Sequence, residues 1–385
     1  MLELKYISKK NIIAADQSTL DILKKGFFGN IEKKNLKLSI YESLYLMDVR
    51  NASCRNKNKN ITFSEMFLLF NKSKKFLAKY LTYKDWRDRG LVAKESIISL
   101  NEPNKNPIKQ YPSSKFSLPN IKITGIFFPS DLTTILEDDE QGKFIYQNFW
   151  IGQYGSYKAA ERGKLNKLDI YETVFLIEHN ILEVKEFTKK QIIKIATSRR
   201  KDFPKLFEVY KDWMEKGYVI KTGFKFGTHF RVYFPGATPM KNDNKNWIHS
   251  KHVIHVFPKE SRLLISEWAR AIRVAHSVRK TFILAVPGNA FAKKVEIDFV
   301  LYHRRGGEAE SPDIFPPKYA MLSLSEEEYI GGKEFAGAIL KAKEKKLELI
   351  VAIADRETAV TYYKVRQIKL KGSEADYYEI DWMQP

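Results

Sequence analysis

Residues 217–236 read GYVIKTGFKFGTHFRVYFPG, residues 249–258 read HSKHVIHVFP, and residues 271–280 read AIRVAHSVRK. The first stretch alternates, has glycines at 223 and 227 and closes on Pro235-Gly236, which predicts a hairpin or meander. In its last strand Phe230, Val232 and Phe234 take one face and leave Arg231 and Tyr233 together on the outward one. VIHVF before Pro258 is a short strand pattern, in which residues three apart point to opposite faces. His252 is thus turned away from His249 and His255, which argues against a shared metal site. A helix is expected over 261–280. Leu264, Ile265, Trp268, Ala271, Ile272, Ala275 and Val278 form its apolar sector, with Arg270, Arg273, His276 and Lys280 in an adjacent basic stripe. Singly, each feature has an ordinary meaning: a rim tyrosine, a hydrogen-bonded strand histidine, a solvated charged face.

Outward from this stretch the chain repeats itself. Ile40-Tyr41-Glu42 recurs as Ile170-Tyr171-Glu172, and Tyr83-Lys84-Asp85-Trp86 recurs as Tyr210-Lys211-Asp212-Trp213, at offsets of 130 and 127. Two matches in one order at nearly one offset argue for an internal duplication. Helices are expected over Leu36–Asp48 and again after Phe63, with Gly90 as a stop. Further on, RKTFILAV at 279–286 is echoed by KLELIVAI at 346–353, and FVLYHRR at 299–305 by YYKVRQI at 362–368. Pro/Asn- and Gly/Pro-rich stretches read as linkers. The resulting division is a half-unit over 1–95, a linker over 96–114, a whole two-domain unit with its N-terminal domain over 115–220 and its second domain over 221–305, a linker over 306–318 and a second half-unit over 319–385. The fold class is mixed α+β: tandem partial repeats of a two-domain unit, a small α/β domain followed by an α/β domain with a central mixed sheet.

The third partial copy bears on the basic stripe. Aligning Arg279 with Lys346 sets Gly337, Leu340, Lys343 and Leu347 opposite Arg270, Arg273, His276 and Lys280. A stripe needed only for folding should survive in both copies, so the contrast singles out Arg273 and Lys280.

With 385 residues the chain exceeds one ordinary core of ~100–150 residues, so two to four domains are expected. The 66 Lys and Arg outnumber the 46 Asp and Glu, and a net charge of +20 favours a polyanionic partner. Cys54 is the sole cysteine, which leaves no intramolecular disulfide. The start, MLELKYISKK, has no apolar run of signal-peptide length, and nowhere do ~18 apolar residues run together. The expectation is a soluble cytoplasmic protein with no membrane partner.

At FKFGTHFRVYFPG, HSKHVIHVF and RVAHSVRK the sequence strongly resembles the archaeal tRNA-splicing endonuclease family. The order of front half, whole unit and back half resembles the family's three-unit fused, epsilon-2 type, homodimeric form, which implies that 115–305 is a catalytic unit with its nuclease-like catalytic domain over 221–305, and that the half-units over 1–95 and 319–385 make a non-catalytic pseudo-subunit. The resemblance implies cleavage of precursor tRNA at a bulge-helix-bulge, without metal or other cofactor, leaving a 2′,3′-cyclic phosphate and a 5′-hydroxyl. It implies Tyr233 as base toward the 2′-hydroxyl, His249 as acid toward the leaving 5′-oxygen, and Lys280 as stabiliser of the phosphorane charge. It further implies two arginines sandwiching a bulged base, matched here by Arg273 and by Arg304. Asp355 and Glu357, in the acidic loop of the pseudo-subunit, are the implied dimer contacts.

The chemistry is consistent with elementary requirements. Attack by a neighbouring 2′-hydroxyl needs alignment, proton transfer and anion stabilisation. A histidine near ~6.5 suits an acid, a lysine is a compact point charge, and a tyrosine near ~10 becomes a useful base only when nearby cations lower it. One alternative is a catalytically silent RNA-binding or assembly subunit; another is a nuclease for DNA junctions, disfavoured by the lack of a carboxylate cluster.

Overall fold

The computed structural model describes residues 2–9, 11–32, 35–95, 108–156, 159–240, 248–288 and 295–385. The fold is mixed α+β, as expected. Its spine is one large sheet. In chain order its strands are β1 (Ala93–Glu95), β2 (Val219–Thr222), β3 (Phe230–Tyr233), β4 (His252–Val256), β5 (Thr281–Val286), β6 (Phe299–Leu301), β7 (Tyr319–Ser325), β8 (Glu348–Ala354), β9 (Val360–Leu370) and β10 (Asp376–Met383). In space they run β2-β3-β4-β5-β10-β9-β8-β7-β6-β1, with Lys109–Tyr111 pairing β9 off this path.

Read inward from its two edges, this order is the same arrangement twice. On one side β4 and β5 are parallel with His252 facing Thr281; on the other, β7 and β8 are parallel with Tyr319 facing Glu348, each 67 residues on. Helix α1 (Ile265–Ser277) precedes β5 and α2 (Gly332–Glu344) precedes β8, at that same offset. Arg279 and Lys346, which end the two helix-to-strand turns, both take the left-handed conformation, at φ 54 and 56. The short strands Arg262–Leu264 and Tyr329–Gly331, which lead into α1 and α2, pair with one another antiparallel. Pairing continues outward in step: Val232 faces His252 and Ile220, while Leu301 faces Tyr319 and Ala93.

Helix α1 covers one face of the half of this sheet that runs from β2 to β5. Val253, Phe282, Ile265, Trp268 and Ile272 share that core, which extends to Phe335 and Ile339 of α2. On the opposite face Phe230, Val232, Ile254 and Ile283 pack with Phe175, Tyr210 and Trp213. Those last residues come from helices Ile170–Glu178 and Phe203–Glu215, whose counterparts Ile40–Val49 and Phe76–Asp88 pack against β6, β7 and β8. Both repeated tryptophans, Trp86 and Trp213, are fully buried.

The repeated Ile-Tyr-Glu serves the same purpose in each copy. Glu42 and Glu172 close capping boxes with Ser39 and Asp169. Each then accepts a buried lysine from a sheet edge, Lys94 at 3.1 Å and Lys221 at 2.6 Å. Those lysines also donate to the carbonyls of Gly29 and Gly152, whose amides donate back to the same glutamates. The clamp ties each small domain to its edge of the sheet.

The structure corrects several expectations. Leu36 is not helical: Asn35–Leu38 is a strand and the helix begins at Ile40, after its Ser39 cap. The helical stretch after Phe63 is broken between Leu68 and Phe76, with Lys75 at φ 59. Helix α1 starts at Ile265, because 262–264 is recruited as a strand. Residues 96–107 of the first expected linker lie outside the described residues, but Lys109–Tyr111 is a strand of the main sheet, with the Tyr111 hydroxyl donating to Glu379 at 2.6 Å. The largest difference concerns 299–305. Its expected echo in 362–368 is not a spatial equivalence, since β6 sits between β7 and β1, where β3 sits in the other half. The sheet therefore groups β6 with β7 and β8, and the place beside β5 is filled by β10. A domain boundary at 305 does not follow this pairing; the chain crosses from one half to the other between β5 and β6. Among the described residues no helix is long and apolar enough to cross a membrane.

Candidate active site

Strand register brings Tyr233, His249 and Lys280 to one end of three adjacent strands. β3 runs antiparallel to β4 and β4 parallel to β5, so the exit of β3 and the entries of β4 and β5 share an edge. Val232, His252 and Thr281 form one row across them. Tyr233 and Lys280 are the next residues outward, and His249 lies just beyond Lys251, whose carbonyl accepts the Thr281 amide at 2.9 Å. Alternation sets Arg231 and Tyr233 on the face shared with Val253 and Phe282, the face covered by α1.

Lys280 stands past the end of α1, not within it. Its ammonium donates to the carbonyl of Ser250 and, at 2.9 Å, to the Ser250 hydroxyl, which ties it to the residue following His249. Beneath it lies the Phe226 ring, 4.8 Å from Nζ to the centroid. Burial, and then the nearby charge of Arg231, lower the lysine below its ordinary value. His249 is exposed.

Tyr233 differs from expectation: it is not an outward rim residue but is 5% exposed. Trp150 covers it, with ring centroids 4.5 Å apart and planes at 44°. The indole comes from the small domain, at the end of helix Asp139–Phe149, where Trp150 is held at φ 49. That left-handed conformation is costly for a bulky residue. The clamp of Lys221 and Glu172 on Gly152 fixes the chain two residues later. Sequence reading missed Trp150, Phe226 and Ser250. The only local signal for Ser250 is its position after His249; nothing local marks Trp150 as a neighbour of Tyr233.

His252 and His255 do face opposite ways. His252 packs against Tyr111 and Phe234 at 5.6 and 5.0 Å. His255 lies against His229, 4.6 Å away, and Phe282. Burial depresses all three from 6.5, His229 to about 2 and the other two to about 4. Among the described residues no group of three or more His, Cys, Asp or Glu stands close enough to hold a metal ion.

The two proposed base-stacking arginines are not brought together within the chain. Arg273 is exposed on α1, near Tyr363 of β9. Arg304 follows β6 in the opposite half, where it donates to the Arg89 carbonyl. Asp355 uses its Oδ1 to hold its own turn, accepting the Glu357 and Ala359 amides at 2.9 Å each, while Glu357 is exposed.

Residues 203–291 match the family described as tRNA intron endonuclease, catalytic C-terminal domain, and residues 4–67 match its N-terminal domain. The chain is 25% identical over 342 residues to the tRNA-splicing endonuclease of Methanococcoides burtonii, a match spanning 73% of this chain and 94% of that one. It is 35% identical over 165 residues to the tRNA-splicing endonuclease of Thermococcus kodakarensis, spanning 42% and 89%. The like-named protein of Methanopyrus kandleri is 34% identical over 145 residues, spanning 36% and 76%. The match over 203–291 includes the strands and the turn that carry Tyr233, His249 and Lys280, and the chain belongs to the tRNA-splicing endonuclease family.

Proposed function

We propose that the chain cleaves precursor tRNA at bulge-helix-bulge splice sites through Tyr233, His249 and Lys280, by attack of the ribose 2′-hydroxyl on the adjacent phosphorus. The chain is a tRNA-splicing endonuclease, an enzyme that cuts introns out of precursor tRNA. In the proposed step Tyr233 takes the 2′-hydroxyl proton, the 2′-oxygen bonds to phosphorus, and the bond to the 5′-oxygen breaks. His249 donates a proton to that oxygen while Lys280 offsets the charge on the pentacoordinate phosphorane. A 2′,3′-cyclic phosphate and a 5′-hydroxyl remain. The observation that carries this reading is the convergence of the three residues at the shared end of β3, β4 and β5, with Lys280 bonded to the neighbour of His249.

The nucleophile is internal to the substrate, so no metal-bound water is called for. The test is incubation of the protein with a bulge-helix-bulge RNA in excess EDTA. Cleavage at full rate, with cyclic-phosphate ends, is expected. RNA that is bound but uncut with and without EDTA overturns the endonuclease reading, and activity lost only on chelation overturns the metal-free step.

The repeated half-sheet, clamp and capping box support a fused arrangement in which residues 1–95 and the segments bearing β6 to β9 make a pseudo-subunit beside one catalytic unit. Two such chains would give a homodimer, with Asp355 and Glu357 at its contact and Arg273 engaging the bulge. Sedimentation should give twice the chain mass, and a monomeric active species rejects this assembly. Arg304 is retained as a candidate only for contact across chains.

A further inference from the structure

Arg231 precedes Tyr233 by two residues, so both side chains leave the same face of β3. Its guanidinium carbon lies 5.7 Å from the Tyr233 ring centroid. It also lies close enough to Lys280 to disfavour the ammonium form. Directly across the ladder stands Lys221, a third cation, which is neutralised by Glu172. No ion pair is found for Arg231 or Lys280 among the described residues, and the Arg231 Nε is buried without a hydrogen-bond partner there. An unsatisfied buried donor is unfavourable, more so when charged, and two neighbouring cations add repulsion to it. A resting site that carries both costs is shaped for an anion.

The other half of the sheet shows that the fold does not require them. By register, Arg231 corresponds to Val300 and Lys280 to Leu347, both buried. The two cations are thus absent together where the histidine is also absent.

We propose that Arg231 binds a non-bridging oxygen of the scissile phosphate, so that it and Lys280 form a two-cation clamp on the reacting group. This rests on the reading of Tyr233, His249 and Lys280 as the cleavage site. The guanidinium fork suits directional contact with a phosphate oxygen, whereas the lysine acts as a point charge. Arg231 moves no proton: it stays charged throughout, holds the phosphorus in line with the 2′-oxygen, and strengthens its contact as charge develops on the phosphorane.

The test uses single-turnover cleavage of bulge-helix-bulge RNA whose splice-site phosphate carries sulfur at one or the other non-bridging position. Arg231→Val, a residue the equivalent strand accommodates, should slow cleavage of the all-oxygen RNA by ~10²-fold. With the native protein one of the two sulfur diastereomers should be cut more slowly than the other, and that difference should vanish in Arg231→Val. Arg231→Lys should recover part of the rate. A sulfur effect that persists undiminished in Arg231→Val overturns the contact. So does a rate loss that appears only as a displaced alkaline limb of the pH–rate profile, which would assign Arg231 to Tyr233 alone. Lys280→Ala run alongside separates the two readings: if it cuts at full rate, the site itself is wrong, and if it is slow while Arg231→Val is normal, only the clamp falls.

Discussion

The two halves of the main sheet share strand order, register, helix positions and turn conformation, yet they differ in chemistry. The half from β2 to β5 carries Tyr233, His249 and Lys280; the corresponding places in the other hold Tyr302, Pro316 and Leu347. The tyrosine is present on both sides. Tyr302 is 1% exposed and pushed up to about 12 by burial. A tyrosine at the end of that strand is therefore compatible with the fold alone, and what distinguishes the first half is its histidine and its cations. Trp150 on Tyr233 has a counterpart too, in Phe27, which is likewise left-handed, at φ 56, and packs against the core containing Tyr302.

The clamps offer the largest effect with which to probe this comparison. Lys221→Met leaves Glu172 buried without its cation, and Lys94→Met does the same to Glu42. Each should cost ~3–5 kcal/mol of stability, measured by denaturant unfolding. Similar losses on both sides would support the halves as structural equals; a large loss on one side only would break that equivalence. Removal of the proposed catalytic groups comes next. His249→Ala and Lys280→Ala should each slow single-turnover cleavage by ~10²-fold or more, about 2.7 kcal/mol, with RNA affinity retained. Leu347→Ala should leave the rate unchanged, and matching rate losses on both sides would refute the division.

A smaller effect is expected at the aromatic cover. Trp150→Ala should lower the cleavage rate ~10-fold, about 1.4 kcal/mol, with Trp150→Phe in between, whereas Phe27→Ala should alter stability alone. Equal rates for all of these variants would detach Trp150 from catalysis. The least is expected from three histidines that the other half replaces: His252, His255 and His229 correspond to Tyr319, Leu322 and Asp298. Their native values lie below 6.5, so the unfolded chain binds more protons as pH falls beneath that value. Stability is thus complete above pH 6.5 and is lost on acidification toward about 4, by at most ~1.4 kcal/mol per pH unit for one group. His255→Leu, the residue at the corresponding place in the other half, should flatten the fall between pH 6 and 5; an unchanged slope would locate acid sensitivity elsewhere.

Local sequence carried the active row well, because period-two alternation decides which residues share a face once a strand exists. It paired Arg231 with Tyr233 and separated His252 from His255. It failed where neighbours are chosen at long range. The strands FILAV at 282–286 and LIVAI at 349–353 are equally apolar, and 299–305 suits any interior place in such a sheet. Leu36 kept a helical stripe only because a strand ending at Leu38 abuts the helix that starts at Ile40. Trp150 lies 83 residues from Tyr233, so no spacing announces their contact.

The amino-acid sequence by itself determined the family, the catalytic candidates and the contrast between an equipped and an unequipped copy, since each rests on residue types at short spacing. Tertiary structure alone decided that β6 crosses to the other half and that β10 returns to complete β5. It alone set Trp150 over Tyr233 and brought Arg231 beside Lys280 with its Nε buried and unpartnered among the described residues. Those outcomes depend on which buried surfaces and ladder hydrogen bonds are satisfied together, a property of the packed chain as a whole.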